Sequence, residues 1–128
     1  DTDAEIRRRA RVTIPEIFAE GGETAFRRLE TEALRELGKR SGIILSTGGG
    51  CVTRSENYPL LHQNGTIFWL LRSPWKLPSD GRPLSQAESA EAMYARREPM
   101  YRRFVDVKID NEGAIERAVE AIARKVLL

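Results

Sequence analysis

Ile43-Ile44-Leu45-Ser46-Thr47-Gly48-Gly49-Gly50 is the stretch on which the fold turns. A short β-branched and leucine run reads as a buried strand, and here it runs into three consecutive glycines. Glycine gives up side-chain contacts and costs backbone entropy, so its usual purpose at such a place is close approach to the main chain. In open α/β sheets, ligands sit outside the carboxyl ends of the strands. The glycine amides would there present N–H donors to a small polar ligand. A flexible strand-to-helix turn is the ordinary alternative, and the glycines alone favour the ligand site only slightly.

The neighbouring segments set that strand in a pattern. Before it, residues 22–39 read as the longest helix, with Phe26, Leu29, Ala33, Leu34 and Leu37 at helical spacing on one face, ended by Ser41-Gly42. The strand itself spans 42–47. After the glycines come a short helix near 56–62, a turn at Asn64-Gly65 and an almost wholly apolar second strand over 66–71. Pro74, Pro78, Gly81 and Pro83 make 73–86 a loop. A helix over 88–104 carries Met93, Tyr94, Met100 and Tyr101, with a kink expected at Pro99. A third strand over 105–109 alternates, and a last helix aligns Ile115, Ala118, Val119, Ile122 and Val126. Thr13 with Glu16, Thr53 with Glu56, and Ser85 with Glu88 have the spacing of capping boxes and mark helix starts. Strands alternating with helices imply an α/β fold, a parallel sheet flanked by helices.

Composition sets bounds. At 128 residues the chain is one domain or part of one, and 41% hydrophobic residues suffice for a core. With 21 basic against 19 acidic residues, the net charge of +2 argues for neither nucleic acid nor a membrane surface as partner. Cys51 is the sole cysteine, so no internal disulfide and no cysteine-based metal site can form, which fits a reducing cytoplasm. It reads as a small buried residue rather than a nucleophile, since nothing places it beside His62, the single histidine. No apolar run reaches bilayer length and no signal peptide is visible. Asp1-Thr2-Asp3 runs straight into Ala4-Glu5-Ile6 with no methionine and no lead-in strand, which reads as a cut inside a domain.

Several residues have the types that chemistry needs. Asp1 and Asp3 flank one threonine. On a strand both carboxylates would share a face and suit magnesium coordination through water, or removal of a hydroxyl proton. From spacing alone, a helix N-cap is the better reading. Arg27 and Arg28 lie within about a turn of Glu23 and Glu30. A glutamate that holds an arginine fixes its planar fork for bidentate capture of a carboxylate, though most helical pairs of this kind are only solvated ion pairs. Arg82 sits between Gly81 and Pro83, placed to swing onto a phosphate as a lid closes. Arg96-Arg97-Glu98-Pro99 puts a further arginine before the expected kink. Three arginines in separate segments, two aspartates and a glycine-rich strand end suggest a small anionic, hydroxylated substrate.

With these residues in view, the chain resembles shikimate kinase, a small relative of the nucleoside monophosphate kinases. The resemblance runs through Asp1-Thr2-Asp3, Ile14-Pro15-Glu16-Ile17-Phe18, Gly22-Glu23, Phe26-Arg27-Arg28-Leu29-Glu30, Thr47-Gly48-Gly49-Gly50, Arg82-Pro83-Leu84 and Arg97-Glu98-Pro99-Met100-Tyr101. No single motif decides it; the ordered set is specific. It implies a P-loop kinase-like fold, here a single domain over 1–128 with a shortened lid loop at 72–86. It also implies transfer of the ATP γ-phosphoryl group to a hydroxyl of shikimate in aromatic amino-acid biosynthesis. Asp3 would bind shikimate hydroxyls and act as the base, and Asp1 would help hold Mg2+ through water. Arg27 and Arg97 would grip the carboxylate, with Glu30 orienting Arg27. Gly49 and Gly50 would offer backbone donors, and Arg82 would stabilise charge on the transferring group.

Two departures stand beside the resemblance. The chain has no Gly-x-x-x-x-Gly-Lys-[Ser/Thr], the loop that cradles nucleotide phosphates. In the family this loop follows the first strand, just upstream of the Asp-Thr-Asp motif. The first strand is also missing, so ATP and Mg2+ are not expected to bind productively to these residues alone. The lid is also short, and the adenine-side arginine of the family has no clear counterpart. A gluconate-kinase-like enzyme and a non-catalytic remnant that binds a ligand or partner are the competing readings. The family's first strand lies between the strands read here at 42–47 and 66–71. Its absence predicts either direct pairing of those two or dimerisation through exposed strand edges.

Overall fold

The computed structural model describes residues 1–76 and 89–127; of Leu127 only the backbone is described. Two compact units divide the chain, Asp1–Thr66 and Ile67–Leu128.

The first unit is helical. Helix α1, Thr2–Ala10, is capped by Asp1, whose Oδ1 accepts from the amides of Asp3 at 2.8 Å and Ala4 at 3.2 Å. The N-cap reading of Asp1 is therefore the one realised. Along α1, Glu5 pairs with Arg8 and Arg9, and these hydrogen bonds hold its carboxyl down at a pKa of about 2. Helix α2, Ile14–Leu37, starts at Thr13, whose hydroxyl accepts from the Glu16 amide as the capping spacing predicts. Gly22 interrupts it at φ 69°, a left-handed conformation that glycine adopts without steric penalty. The expected helix start at Gly22 is thus a kink between two helical pieces. Past the kink, Phe26, Ala33, Leu34 and Leu37 are buried as their spacing predicts. The core of the unit joins Ile6 of α1 to Ile17, Phe26, Ala33 and Leu37 of α2.

The segment following α2 departs from expectation. No strand forms over residues 42–47. A strand exists only where its main-chain groups pair, and this segment has no ladder among the described residues. Ile44 is 96% exposed, while Leu45 packs against the core. A 3-10 turn, Gly49–Thr53, follows the glycines, and then helix α3, Asn57–His62. The capping box expected at Thr53 is absent, because that hydroxyl donates back to the Gly50 carbonyl at 2.7 Å and α3 starts without a side-chain cap. Asn64 closes the turn after α3 by donating to the Lys39 and Arg40 carbonyls.

The second unit holds strand β1, Phe68–Leu71, parallel to β2, Val107–Asp110, with Phe68 opposite Val107. Asp106 anchors the register by accepting from the Ile67 amide at 2.7 Å. Between the strands lies helix α4, Ala90–Phe104, capped by Ser89, whose hydroxyl accepts from the Ala92 amide. It continues through Pro99. The third expected strand begins later than its alternation suggests, because Val105 still donates to the Tyr101 carbonyl as the helix cap. Helix α5, Ile115–Leu127, buries Ala118, but Ile115, Val119 and Val126 stay exposed, so the apolar stripe read as core is covered only in part. The Ser85–Glu88 capping box lies outside the described residues.

Candidate active site

Arg27 is the centre of the site in the first unit. It lies on α2 one turn past the kink, is 8% exposed, and stacks its guanidinium over the Phe26 ring at 5.1 Å. Nη1 donates to Glu30 Oε1 at 2.9 Å, and Nε donates to Glu23 Oε2 at 3.2 Å. Nη2 lies 3.2 Å from the same Glu23 oxygen. Glu30 is fully buried. This pair is therefore not a solvated ion pair, and the charge-assisted bonds fix the plane of the fork. A guanidinium carries five N–H donors. The glutamate contacts account for three, leaving one N–H on each terminal nitrogen outside them.

The glycine turn lies against that fork. A Cβ on Gly50 would stand 2.1 Å from Arg27 Nη2 and 2.6 Å from Nη1, so a side chain there would have to displace the guanidinium. A Cβ on Gly48 would meet Glu30 Oε2 at 4.0 Å. Gly49 and Gly50 open the 3-10 turn, where N–H groups have no partner within the turn itself. Close approach to the main chain, inferred from the sequence, is thus found, and the close neighbour is Arg27.

Sequence reading did not single out the side chains behind this arrangement. Arg54 Nη1 donates to the Arg27 carbonyl at 2.9 Å and to Thr31 Oγ1 at 3.0 Å. The Thr31 hydroxyl donates to Asn57 Oδ1 at 2.8 Å, and Asn57 Nδ2 donates to the Cys51 carbonyl at 2.8 Å. Thr31 and Asn57 are buried. These partners lie at least six residues apart and three of the four bonds span 23 to 27, so no local pattern announces them.

Thr2 brings the aspartates to the same unit. It is fully buried, and its amide and hydroxyl both donate to the Ser46 carbonyl, at 2.9 and 3.2 Å. This ties the start of α1, with Asp1 and Asp3, to the segment that leads into Thr47-Gly48. The cap on α1 uses one Asp1 oxygen only. No cluster of three or more His, Cys, Asp or Glu that would hold a metal occurs among the described residues. Mg2+ needs only one or two carboxylates beside phosphates and waters, and the second Asp1 oxygen fits that demand.

In the second unit, Arg97 lies on α4, 7% exposed, and its Nε has no hydrogen-bond partner among the described residues. A buried donor left unpaired is costly, and it suits an anion. Arg82 and residues 77–86 of the expected lid lie outside the described residues. Ser73 and Lys76 donate to the Glu112 carboxylate, and Arg72 to the Asn111 carbonyl; the bonds to Glu112 lower its pKa, the lysine contributing most.

Comparison with known proteins agrees with the geometry. The shikimate kinase family model matches residues 1–127. A shikimate kinase of Cupriavidus pinatubonensis is 40% identical over 137 aligned positions, covering all of this chain and 70% of that protein. One of Prochlorococcus marinus is 40% identical over 111 positions, covering 79% of this chain and 57% of its own length. The chain thus spans between a little over half and about two thirds of these relatives. Among solved structures, a shikimate kinase from Acinetobacter baumannii in complex with shikimate superposes with a TM-score of 0.87 at 33% identity. That match covers 99% of this chain and 76% of the other. Shikimate kinase from Aquifex aeolicus gives 0.79 at 28% identity, covering 99% and 79%. The fold is the P-loop kinase-like fold of these enzymes, and the chain belongs to the shikimate kinase family.

Proposed function

We propose that these residues form the acceptor side of a shikimate kinase, working with a phosphate-binding loop of the family's kind. The observation that carries the reading is the Arg27 fork, held by buried Glu30 and packed on Gly50. Arg27 binds the shikimate carboxylate through its two outward N–H groups, with Glu30 holding the plane of the fork. Gly49 and Gly50 donate main-chain N–H groups to the substrate. Arg97, buried with an unpaired Nε, supplies the second grip on the carboxylate. Asp3, in the first turn of α1, binds the ring hydroxyls and takes the proton from the one that attacks. ATP supplies the γ-phosphoryl group. The residues present include no Gly-x-x-x-x-Gly-Lys-[Ser/Thr], so they do not by themselves fit the nucleotide. Asp1 would hold Mg2+ through water, and Arg82, in the segment read from the sequence as a lid, would steady charge on the transferring group. Residues 1–128 make one domain of a cytoplasmic enzyme. No helix among the described residues is long and apolar enough to cross a membrane.

A coupled assay of ADP release tests the reading. The protein with its phosphate-binding loop should release ADP only when shikimate is added, and the 128-residue chain should release none. Turnover by the chain alone, or shikimate-independent release by the longer protein, would sink it.

A further inference from the structure

A buried polar relay joins the backbone of Arg27 to the backbone of the glycine turn, and the reaction as assigned above does not use it. It starts at the Arg27 carbonyl, which accepts from Arg54 Nη1. The same nitrogen donates to Thr31 Oγ1. The Thr31 hydroxyl donates to Asn57 Oδ1, and Asn57 Nδ2 donates to the Cys51 carbonyl. Cys51 immediately follows Gly50, against which the Arg27 guanidinium lies so closely that a Cβ there would displace it. The relay therefore closes a ring. One side is the Arg27 side chain on Gly50; the other is Arg54, Thr31 and Asn57 bridging the same two strands of main chain.

Thr31 is placed for this by the helix. It sits four residues after Arg27 and one after Glu30, so α2 fixes both at once. Asn57 is fully buried at the first residue of α3. Each of its amide atoms has a defined partner, so the side chain admits one orientation. Satisfied buried networks of this kind hold a single geometry. What they hold here is the separation between the Arg27 fork and the amides of Gly49 and Gly50.

We infer that Thr31, Arg54 and Asn57 are positioning residues that set the spacing between the Arg27 guanidinium and the glycine-turn amides, and through it the affinity for the carboxylated substrate. They touch no substrate. The inference rests on the shikimate-binding reading above. Loss of the relay loosens the turn against the fork, and misplacement by about 1 Å in such a site costs up to ~100-fold. The loss falls on capture of the acceptor, because the relay ends on the main chain of Arg27 and of the glycine turn.

The test uses the protein with its phosphate-binding loop and two variants. Thr31→Val removes the hydroxyl while keeping the shape. Arg54→Met removes the donors at a side chain that is 32% exposed, along with its exposed ion pair to Glu56. Both should raise the KM for shikimate about tenfold while kcat and the KM for ATP stay within about twofold, and Thr31→Ser should restore the wild-type KM. A shikimate KM unchanged in both variants overturns the inference, as does a fall in kcat with KM unchanged. Amide hydrogen exchange of the ligand-free protein gives a readout that does not depend on the substrate. Exchange at Gly49, Gly50 and Cys51 should quicken in both variants while α1 amides keep their wild-type rates. Unchanged exchange at the turn overturns the inference even if the wild type proves to act on another acceptor, an outcome that would fail the substrate assignment alone.

Discussion

At the scale of single residues, Gly50 shows how far sequence can be read and where it stops. Three glycines after an apolar run signal close approach, and Arg27 with Glu30 three residues on signals a held fork. Both are short-range patterns and both are legible. That the two features meet is not, because a contact between positions 27 and 50 leaves no periodic trace. The relay of Thr31, Arg54 and Asn57 is hidden for the same reason. Gly50→Ala tests the contact. Its Cβ would stand 2.1 Å from Nη2, and the obstructing atoms are the end of a flexible side chain, so the guanidinium gives way before the backbone does. Yet moving it weakens its bond to a fully buried Glu30. Loss of such a buried partner costs about 1–3 kcal/mol. The variant should therefore fold, lose stability in that range by urea titration, and bind the carboxylated acceptor at least about tenfold more weakly. Wild-type values for both would mean that the glycine serves the turn and not the arginine.

At the scale of elements, helices were more legible than strands. The apolar faces of α2 and the caps at Thr13 and Asp1 follow from rules that act within four residues. The segment 42–47 has strand composition, but a strand is a pairing and not a composition, and Ile44 ends 96% exposed. The stripe on α5 makes the same point: periodicity shows which face is apolar, not whether something covers it. Gly22 is the one place in α2 where the backbone leaves the helix, at φ 69°, and a Cβ there would meet nothing within 4 Å. Substitution to Ala thus isolates the backbone cost from any packing cost. With φ 69° and ψ −170° this backbone lies in a region that is essentially glycine's alone, and holding another residue there costs about 1–3 kcal/mol. Gly22→Ala should lower unfolding stability by about that amount, while Gly113→Ala, equally uncrowded and without positive φ, should change it by less than about 1 kcal/mol. Thermal melts of the two variants side by side check this. Equal melting temperatures would mean that the kink relaxes into continuous helix.

At the scale of the whole molecule, the apolar surface left open is informative. Ile43, Ile44 and Leu70 are large hydrophobic residues at 46%, 96% and 47% exposure, and Ile115, Val119 and Val126 on α5 are exposed as well. Single exposed apolar residues are ordinary, but the adjacent pair Ile43-Ile44 in the first unit and Leu70 on a strand in the second each offer apolar surface to another molecule. Among the described residues the sheet has two strands, so β1 and β2 each keep one edge whose N–H and C=O groups have no ladder partner there. Such edges template pairing with another chain. The 14.5 kDa chain alone should therefore self-associate, with a light-scattering mass that rises above the monomer as concentration increases. If the edges and the Ile43-Ile44 pair drive this, Ile44→Lys and Leu70→Lys should shift the population toward monomer, since a charge on an edge opposes pairing. Ile44→Lys costs no core packing because its side chain is 96% exposed, whereas Leu70, half-buried, gives up some packing as well. A chain extended by the family's first strand should stay monomeric over the same range if that strand pairs with one of the open edges. A chain that remains monomeric at every concentration, with unchanged behaviour in the lysine variants, would show that these edges are protected within the chain itself.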